Sequence, residues 1–415
     1  MKTIHFLLLT LLAAAWPARA DIEVNVSVKF IHNNDGPNTR PRDPIGSVAG
    51  FGQEITYGNN ALYATSRGYS LRVVEYLDIT PPSPSTATAS VTGGTTSGSK
   101  MVTCSNTAGL QTWMRVQGAG IPANTVILSI VANTSFGISN DATATAPSVT
   151  VSGSFPGDHW FNLPARAARQ YMETTALAAQ TVWRWNPNAI NIYVNNSSSG
   201  QCTFVGSGGA ITLGGDVGTG TVLHEIGHFF DLRHTHAGDY ADQPNPAGGA
   251  FTMAHLTNGD DLDETANDNP NISNHDQLSI ALNGKPYDQP ATPPNAPFAS
   301  LAERAVVDSA FQNVMSYHTE AVLLPDQMDK WTLNANGARL PFCTGRTWFL
   351  ANGGNDGASG ATVALPLATV TSGFAHTTSA NDVVLLQAGN YTAPATQMTT
   401  PCTLHATRGQ VTLTR

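Results

Sequence analysis

The stretch HEIGHFFDLRH, His224 to His234, constrains this chain more than any other feature of its sequence. Positions four apart lie on the same face of an α-helix, so His224 and His228 are expected to direct their imidazoles toward one metal ion. Glu225 stands beside the first histidine, within reach of a water molecule on that metal. Zinc lowers the pKa of such a water to about 7, which allows a carboxylate to remove its proton. The stretch therefore predicts a zinc-hydrolase helix, with two histidine ligands and Glu225 as the general base.

The whole stretch resembles the zinc-binding stretch of the metzincin clan, in which a third histidine ligand lies ten residues after the first, and this resemblance implies that His234 is the third zinc ligand. This residue reaches the same ion only if the helix ends and the chain turns sharply after Phe230. Asp231 occupies the turn, and aspartate is one of the non-glycine residues that best tolerate a left-handed backbone, at a cost of about 1 kcal/mol. Asp231 is therefore either the turn residue or a further metal ligand. The first alternative is favoured because His234 already completes the ligand set.

Four stretches together resemble the pappalysin family of metzincin zinc metalloproteases, and they occur in that family's order. They are WNPNAINIYVNN, TGTVLHEIGHFFDLRHTH, NGDDLDETANDN and NVMSYHTEAVLLPDQMDKW. With the first strand and helix, the resemblance covers most of residues 21–84 and 157–331. It implies an α/β catalytic domain, a catalytic zinc ion and endopeptidase activity on proteins. The chain departs from the family at Asp231, where the family has glycine, and at Glu264-Thr265-Ala266, where the family tends to have Asp-Thr-Pro.

The resemblance also assigns roles to two residues downstream of the zinc helix. Met315, in NVMSY, matches the methionine of a tight turn that forms the hydrophobic floor of the zinc site. Tyr317 matches a tyrosine that flanks the metal in several metzincin families and steadies the tetrahedral intermediate. The alternative for Tyr317 is a buried side chain that packs beside the turn.

An acidic segment, residues 258–271, is a candidate calcium site. Its carboxylates are Asp260, Asp261, Asp263, Glu264 and Asp268. Oxygen-rich loops of this kind suit calcium, and the family resemblance implies calcium near this place. The spacing is not that of an EF-hand, so a solvated acidic loop without a metal ion is an equal alternative.

The N-terminus reads as a secretory signal peptide, residues 1–20. Lys2 gives a positive start, an apolar run follows, and Ala18-Arg19-Ala20 offers a cleavage site between small residues. No later segment approaches a transmembrane length, so the expected protein is secreted, either extracellular or periplasmic. The formal net charge of -9 argues against nucleic acid as a partner.

Composition divides the rest of the chain into modules. Residues 21–84 and 156–335 are expected to form one discontinuous metzincin-type catalytic domain, of the α+β or α/β class, with a mixed sheet and the active-site helix. Residues 85–155 are rich in Thr, Ser, Val and Gly, carry few charges and lack helical periodicity, which predicts an inserted all-β module. Residues 336–415 resemble the opening rungs of a parallel β-helix, a second accessory β module.

Four cysteines in an exported chain allow up to two disulfides. Cys343 and Cys402 flank the C-terminal module, where a bond between them would staple a small β unit that has little core of its own. Cys104 and Cys202 are then left to pair with each other or to remain thiols.

The expected function is a secreted zinc-dependent endopeptidase that hydrolyses protein or peptide substrates. One alternative is a surface-binding or adhesive protein whose zinc domain is structural or inactive, which the two β modules and the 12% of charged residues favour. Another is a zinc hydrolase that acts on something other than peptides. The sequence leaves the cleavage specificity and the oligomeric state open.

Overall fold

The computed structural model describes residues 22–33, 40–202, 208–235, 274–288, 298–316, 322–392, 399–406 and 410–414. The chain is a mixed α/β protein with several sheets. The expected signal peptide lies outside the described residues. Within them, no helix has the length and apolar character that a membrane crossing requires.

The first described elements form a strand–helix–strand unit: β1 (Ile22–Ile31), α1 (Val48–Ala64) and β2 (Tyr69–Ile79). β1 and β2 pair in parallel, with a register shift between Val26 and Ser27. Ser47 is the N-cap of α1, and its hydroxyl accepts a hydrogen bond from the Gly50 amide at 3.1 Å.

The segment expected to be an inserted β module forms a sheet of its own. Its strands are β3 (Thr88–Thr95), β4 (Met101–Thr103), β5 (Arg115–Gln117), β6 (Ile127–Val131), β7 (Ser135–Ile138) and β8 (Ala146–Ser154). All neighbours are antiparallel, in the order β5-β8-β3-β4-β7-β6. A bridge between Arg115 and Val126 joins the two outer strands, so the sheet closes into a small barrel. The barrel encloses its own apolar core.

After the barrel the chain returns to the first sheet. The elements are α2 (His159–Asn162), α3 (Ala165–Ala178), α4 (Gln180–Trp183), β9 (Ile190–Asn195), β10 (Gly200–Gln201), β11 (Ala210–Gly214) and α5 (Thr221–Phe229). The completed sheet has the order β10-β11-β9-β1-β2, in which only β10, at one edge, runs antiparallel to its neighbour. β1 therefore lies inside the sheet and is buried on both faces.

The two faces of this sheet are covered differently. One face packs on α1 and α5, and the side chains between them form the largest apolar core of the molecule. The other face packs on α3 and on a group of aromatic side chains that includes Trp160, Trp183 and Tyr193. The barrel rests against this second group, because Trp113 stacks on Tyr171 with ring centroids 4.9 Å apart.

In the described residues between α5 and the C-terminal segment lie α6 (His275–Asn283), α7 (Leu301–Gln312) and α8 (Pro325–Asn336). α6 and α7 pack on each other through a small core formed by Leu278, Val307 and Ala310. α8 joins the main core, where Trp331 stacks on Phe230 with a centroid distance of 4.0 Å. The end of α5 is therefore packed directly against α8.

The described part of the C-terminal segment contains a short 3-10 helix (Leu340–Phe342), α9 (Val370–His376) and five strands. The strands are β12 (Thr347–Leu350), β13 (Val383–Leu386), β14 (Gly389–Thr392), β15 (Thr403–Ala406) and β16 (Val411–Thr414). β12, β13 and β15 form one parallel sheet and β14 and β16 another, as stacked rungs do. Phe349, Val383 and Leu385 belong to the same core as β1 and α5. This segment is therefore fused to the unit that contains β1 and α5.

The predicted disulfide between Cys343 and Cys402 is wrong, because all four cysteines are thiols. Cys343 packs against the main core, and its sulfur lies 3.7 Å from the Arg339 carbonyl oxygen. Cys402 packs instead against the separate core between the C-terminal strands. The C-terminal segment shares the main core, so it does not need a disulfide as a substitute for a core. The two thiols also pack in different cores, Cys343 in the main one and Cys402 in that of the C-terminal strands. Burial raises the pKa of the Cys343 thiol to about 12.

Candidate metal centre

Helix α5 places three of the predicted residues. Gly220, with φ 87°, is its N-cap, and the first intrahelical bond runs from the His224 amide to the Gly220 carbonyl at 3.0 Å. His224, Glu225 and His228 follow within one turn, and all three are buried. Both faces of the helix are covered, which fits the apolar residues between the histidines.

The helix ends in the turn that the sequence predicts. Asp231 has φ 68°, so the left-handed conformation is confirmed. The Leu232 amide bonds to the Gly227 carbonyl at 3.0 Å and the Asp231 amide to the His228 carbonyl at 2.9 Å. These two bonds define a Schellman motif with Asp231 as its left-handed residue. The Asp231 carboxylate points to Lys330, with oxygen and nitrogen 3.6 Å apart.

The turn brings His234 to the two helical histidines. Its Nε2 lies 3.1 Å from Nε2 of His224 and 3.0 Å from Nε2 of His228. Among the described residues, these three form the group able to hold a metal ion, with their ligand atoms within 4.8 Å of one another. Zn–N bonds of about 2.0–2.1 Å at tetrahedral angles separate such nitrogens by about 3.3 Å. The two distances from His234 are slightly shorter than this spacing, and Asp231 is not part of the group.

The proton positions on two rings show that the triangle fits a cation. Nδ1 of His224 lies 2.7 Å from the Val314 carbonyl oxygen, and Nδ1 of His228 lies 2.7 Å from the Leu232 carbonyl oxygen. A carbonyl only accepts, so both Nδ1 atoms carry the proton and both Nε2 atoms present lone pairs. Burial lowers the pKa of His224, which keeps the ring neutral. Nε2 of His234 carries at most one proton, which cannot serve the lone pairs of both His224 and His228. A metal ion, in contrast, accepts a lone pair from each of the three nitrogens.

Glu225 is a buried carboxylate that the protein satisfies only in part. The Cys202 amide donates a hydrogen bond to it, and Oε2 has no hydrogen-bond partner. Burial raises the pKa of Glu225 to about 8, while the Arg166 guanidinium and the Cys202 amide act in the opposite direction. A Cβ on Gly200, in edge strand β10, would lie 3.1 Å from Oε1. The carboxylate therefore lies beside strand β10, at the edge of the sheet.

Met315, the predicted floor of the site, packs against helix α5 at Gly227. It is fully buried, and a Cβ on Gly227 would lie 2.5 Å from its sulfur, so the helix and the methionine meet without room for a side chain on Gly227. The turn is held by Asn313, whose Oδ1 accepts a hydrogen bond from the Met315 amide at 2.9 Å. The side chains of Asn313 and Gln327 exchange two further bonds, of 3.0 and 3.1 Å.

Three residues of this centre were missed from the sequence. Asn313 and Gln327 hold the carbonyl that orients His224, and Glu54 contacts the start of α5. Gln327 lies fourteen positions after Asn313, and nothing in that spacing distinguishes the pair. The one available signal for Glu54 is an acidic residue among the apolar positions of α1.

The remaining candidate residues lie outside the part of the chain that the structure describes. They are Tyr317 and the candidate calcium ligands Asp260, Asp261, Asp263 and Glu264. Their roles stay predictions.

Comparison with known proteins adds no further constraint. No protein-family model matches the chain. No curated protein matches it either. The case for a function therefore depends on the geometry of His224, His228, His234 and Glu225.

Proposed function

We propose that this chain is a secreted zinc-dependent endopeptidase of the metzincin type. One observation carries the proposal: three imidazole Nε2 atoms converge, and the two on α5 present lone pairs because their Nδ1 atoms donate to carbonyls. A bound zinc ion supplies an electrophile that acidifies water and polarises a carbonyl oxygen. His224, His228 and His234 would hold it.

In this mechanism Glu225 moves the proton. The positive charge of the bound zinc ion would favour the carboxylate form of Glu225, against the effect of burial on its pKa. The unpartnered Oε2 then accepts the proton of the attacking water and delivers it to the amine that leaves when the peptide bond breaks. Met315 packs against α5 at Gly227, and the Asn313 side chain holds the turn at Met315 by accepting a hydrogen bond from its backbone amide. Tyr317, two residues after Met315, is the proposed donor to the developing oxyanion.

The edge strand β10 supports peptides as the substrate class. Within the described part of the chain it pairs with β11 on one side and has no neighbouring strand on the other, and it adjoins the Glu225 carboxylate through Gly200. An extended peptide adds to such an edge through main-chain hydrogen bonds, which places its backbone beside the general base. A non-peptide substrate would make no use of this edge.

The first test separates metal binding from catalysis. Glu225→Gln keeps the shape of the buried side chain but removes the base, so zinc content should stay at the wild-type level. Casein hydrolysis should fall by at least roughly 100-fold. His228→Ala should lose both zinc and activity. The measurements are metal analysis after dialysis and proteolysis with and without a chelator.

His376→Ala is the matched control, because this histidine bonds within α9 to the Ser372 carbonyl at 2.8 Å and should affect neither quantity. Undiminished proteolysis by Glu225→Gln would show that the proposed mechanism is wrong. A wild-type protein that retains zinc but cleaves no casein would favour the surface-binding alternative. That alternative expects four protein ligands, as structural zinc sites have.

A further inference from the structure

The start of the metal-binding helix is held by a carboxylate from a distant part of the chain. The Gly220 amide donates to Oε2 of Glu54 at 2.8 Å, and the Val222 amide also donates to Glu54. Glu54 lies on α1, 166 positions earlier, and its side chain is buried. The cap of α5 is therefore a tertiary contact.

Helix α5 needs such a contact because it cannot cap itself. The first amides of a helix have no intrahelical partner, and the N-cap residue usually supplies one with its side chain. Gly220, the N-cap here, has no side chain. A helix of nine residues is also too short to be stable alone. A carboxylate at its N-terminus satisfies the amides and faces the positive end of the helix dipole.

The packing around Glu54 fixes where α1 meets α5. One turn further along α1, a Cβ on Gly58 would lie 3.6 Å from Cβ of Leu223, so the two backbones approach closely there. Tyr57, on the same helix, lies against Gly220, because a Cβ added to Gly220 would be 3.1 Å from the Tyr57 ring. These contacts leave α5 little freedom to slide along its axis or to rotate.

We propose that Glu54 is a positioning residue of the metal centre. By fixing the first turn of α5, its carboxylate delivers His224 and Glu225, which follow directly, in register with the turn that carries His234. The proposal rests on the metal-binding function proposed above. Burial raises the pKa of Glu54, so an acidic group here is unfavourable unless its two backbone bonds offset the loss of solvation. A leucine would serve helix packing equally well.

The test uses the full chain, stripped of metal and titrated with Co²⁺ alone. The visible spectrum of bound cobalt reports the coordination geometry independently of catalysis. Glu54→Ala should bind Co²⁺ about fivefold more weakly, the equivalent of losing one helix cap, and should show an altered spectrum. Glu54→Gln retains one acceptor oxygen and should fall between Glu54→Ala and the wild type.

Thr369→Ala is the control, because Thr369 caps α9 by accepting from the Ser372 amide at 3.1 Å, on a helix without metal ligands. It should lower thermal stability while leaving cobalt affinity and spectrum unchanged. A folded Glu54→Ala variant with wild-type affinity and spectrum overturns the proposal. If Glu54→Ala does not fold, Glu54→Gln decides: weaker binding supports the proposal and wild-type binding overturns it. A wild-type protein that binds no Co²⁺ overturns the proposed function and this inference together.

Discussion

At Asp231 a single backbone conformation determines whether the third histidine reaches the other two. The residue has φ 68°, and its carboxylate reaches Lys330 at 3.6 Å. A partly exposed ion pair of this length contributes between 0 and about 1 kcal/mol. The left-handed backbone costs an aspartate about as much. The two effects nearly cancel, so the side chain itself is dispensable and the conformation is not.

This balance predicts opposite outcomes for two substitutions. Asp231→Gly should leave zinc retention and activity unchanged or slightly improved, because glycine adopts this conformation without strain. Asp231→Val should weaken zinc retention, because a β-branched residue is strained there and His234 would no longer be delivered. Zinc content after dialysis against a weak chelator measures both. A glycine variant that loses zinc as the valine variant does would mean that Asp231 is a ligand.

At the scale of the element, strand β1 has an unusual feature: the amino group of a lysine side chain is buried against the sheet. Lys29 is fully buried and its Nζ donates to Oδ1 of Asn191 at 2.5 Å and to the Ser27 hydroxyl. Ser27 in turn donates to Glu75 at 2.5 Å. Burial lowers the pKa of Lys29 to about 7, although the Glu75 carboxylate raises it. Its neighbours on β1 point the other way, into the main core.

This buried lysine predicts a pH-dependent stability. Its pKa is about 7 in the folded protein and 10.5 as a free side chain. Between these values the unfolded chain binds more protons, so the free energy of unfolding should rise with pH, by up to about 1.4 kcal/mol per pH unit. Below the folded pKa, both states hold the proton and the dependence disappears. Between about pH 7 and pH 9, the free energy of unfolding measured in urea should therefore rise for the wild type relative to Lys29→Met. A constant difference would show that Lys29 keeps an ordinary pKa.

Elements with a local pattern were predictable, and contacts between distant elements were not. The alternation in IEVNVSVKFI predicts β1, and the spacing of His224, His228 and His234 predicts a helix followed by a turn. The Glu54 cap depends on two helices meeting at one point, which no local pattern records. The amide pair of Asn313 and Gln327 depends likewise on how α8 docks.

At the scale of the whole molecule, the two β modules are joined in different ways to the unit that contains β1 and α5. The barrel has its own core and touches the rest through a few side chains, such as Trp113 on Tyr171 and Arg115, which lies 2.7 Å from Asp158. The C-terminal segment instead completes the core on which helix α5 packs. Its strand β12 is also tied to α8, since the Asn336 side chain bonds to both the amide and the carbonyl of Thr347. The error about Cys343 has the same origin, because a module boundary drawn from composition does not show where a core is shared.

This difference predicts that one module is removable and the other is not. A chain ending at residue 336 loses Phe349, Val383 and Leu385 from the main core, worth about 5–9 kcal/mol together, which is comparable to the whole stability of a typical domain. It should show no cooperative unfolding transition and retain no zinc.

Replacing residues 86–154 with a short Gly-Ser linker should lower the free energy of unfolding by about 4 kcal/mol, mainly through loss of the stacked ring pair and of Val126. The linker is feasible because the Ser83 hydroxyl donates to the Phe155 carbonyl at 2.8 Å, which holds the two ends of the insertion together.

Circular dichroism during urea unfolding and zinc analysis of the two shortened chains measure these outcomes. The barrel deletion should unfold cooperatively at lower urea and keep wild-type zinc content, because neither α5 nor the turn at Met315 contacts the barrel core. A truncated chain that folds and holds zinc without the C-terminal strands would contradict the shared core. A barrel deletion that folds but loses zinc would mean that the barrel supports the metal centre through the α3 face of the sheet, where Arg166 acts on Glu225.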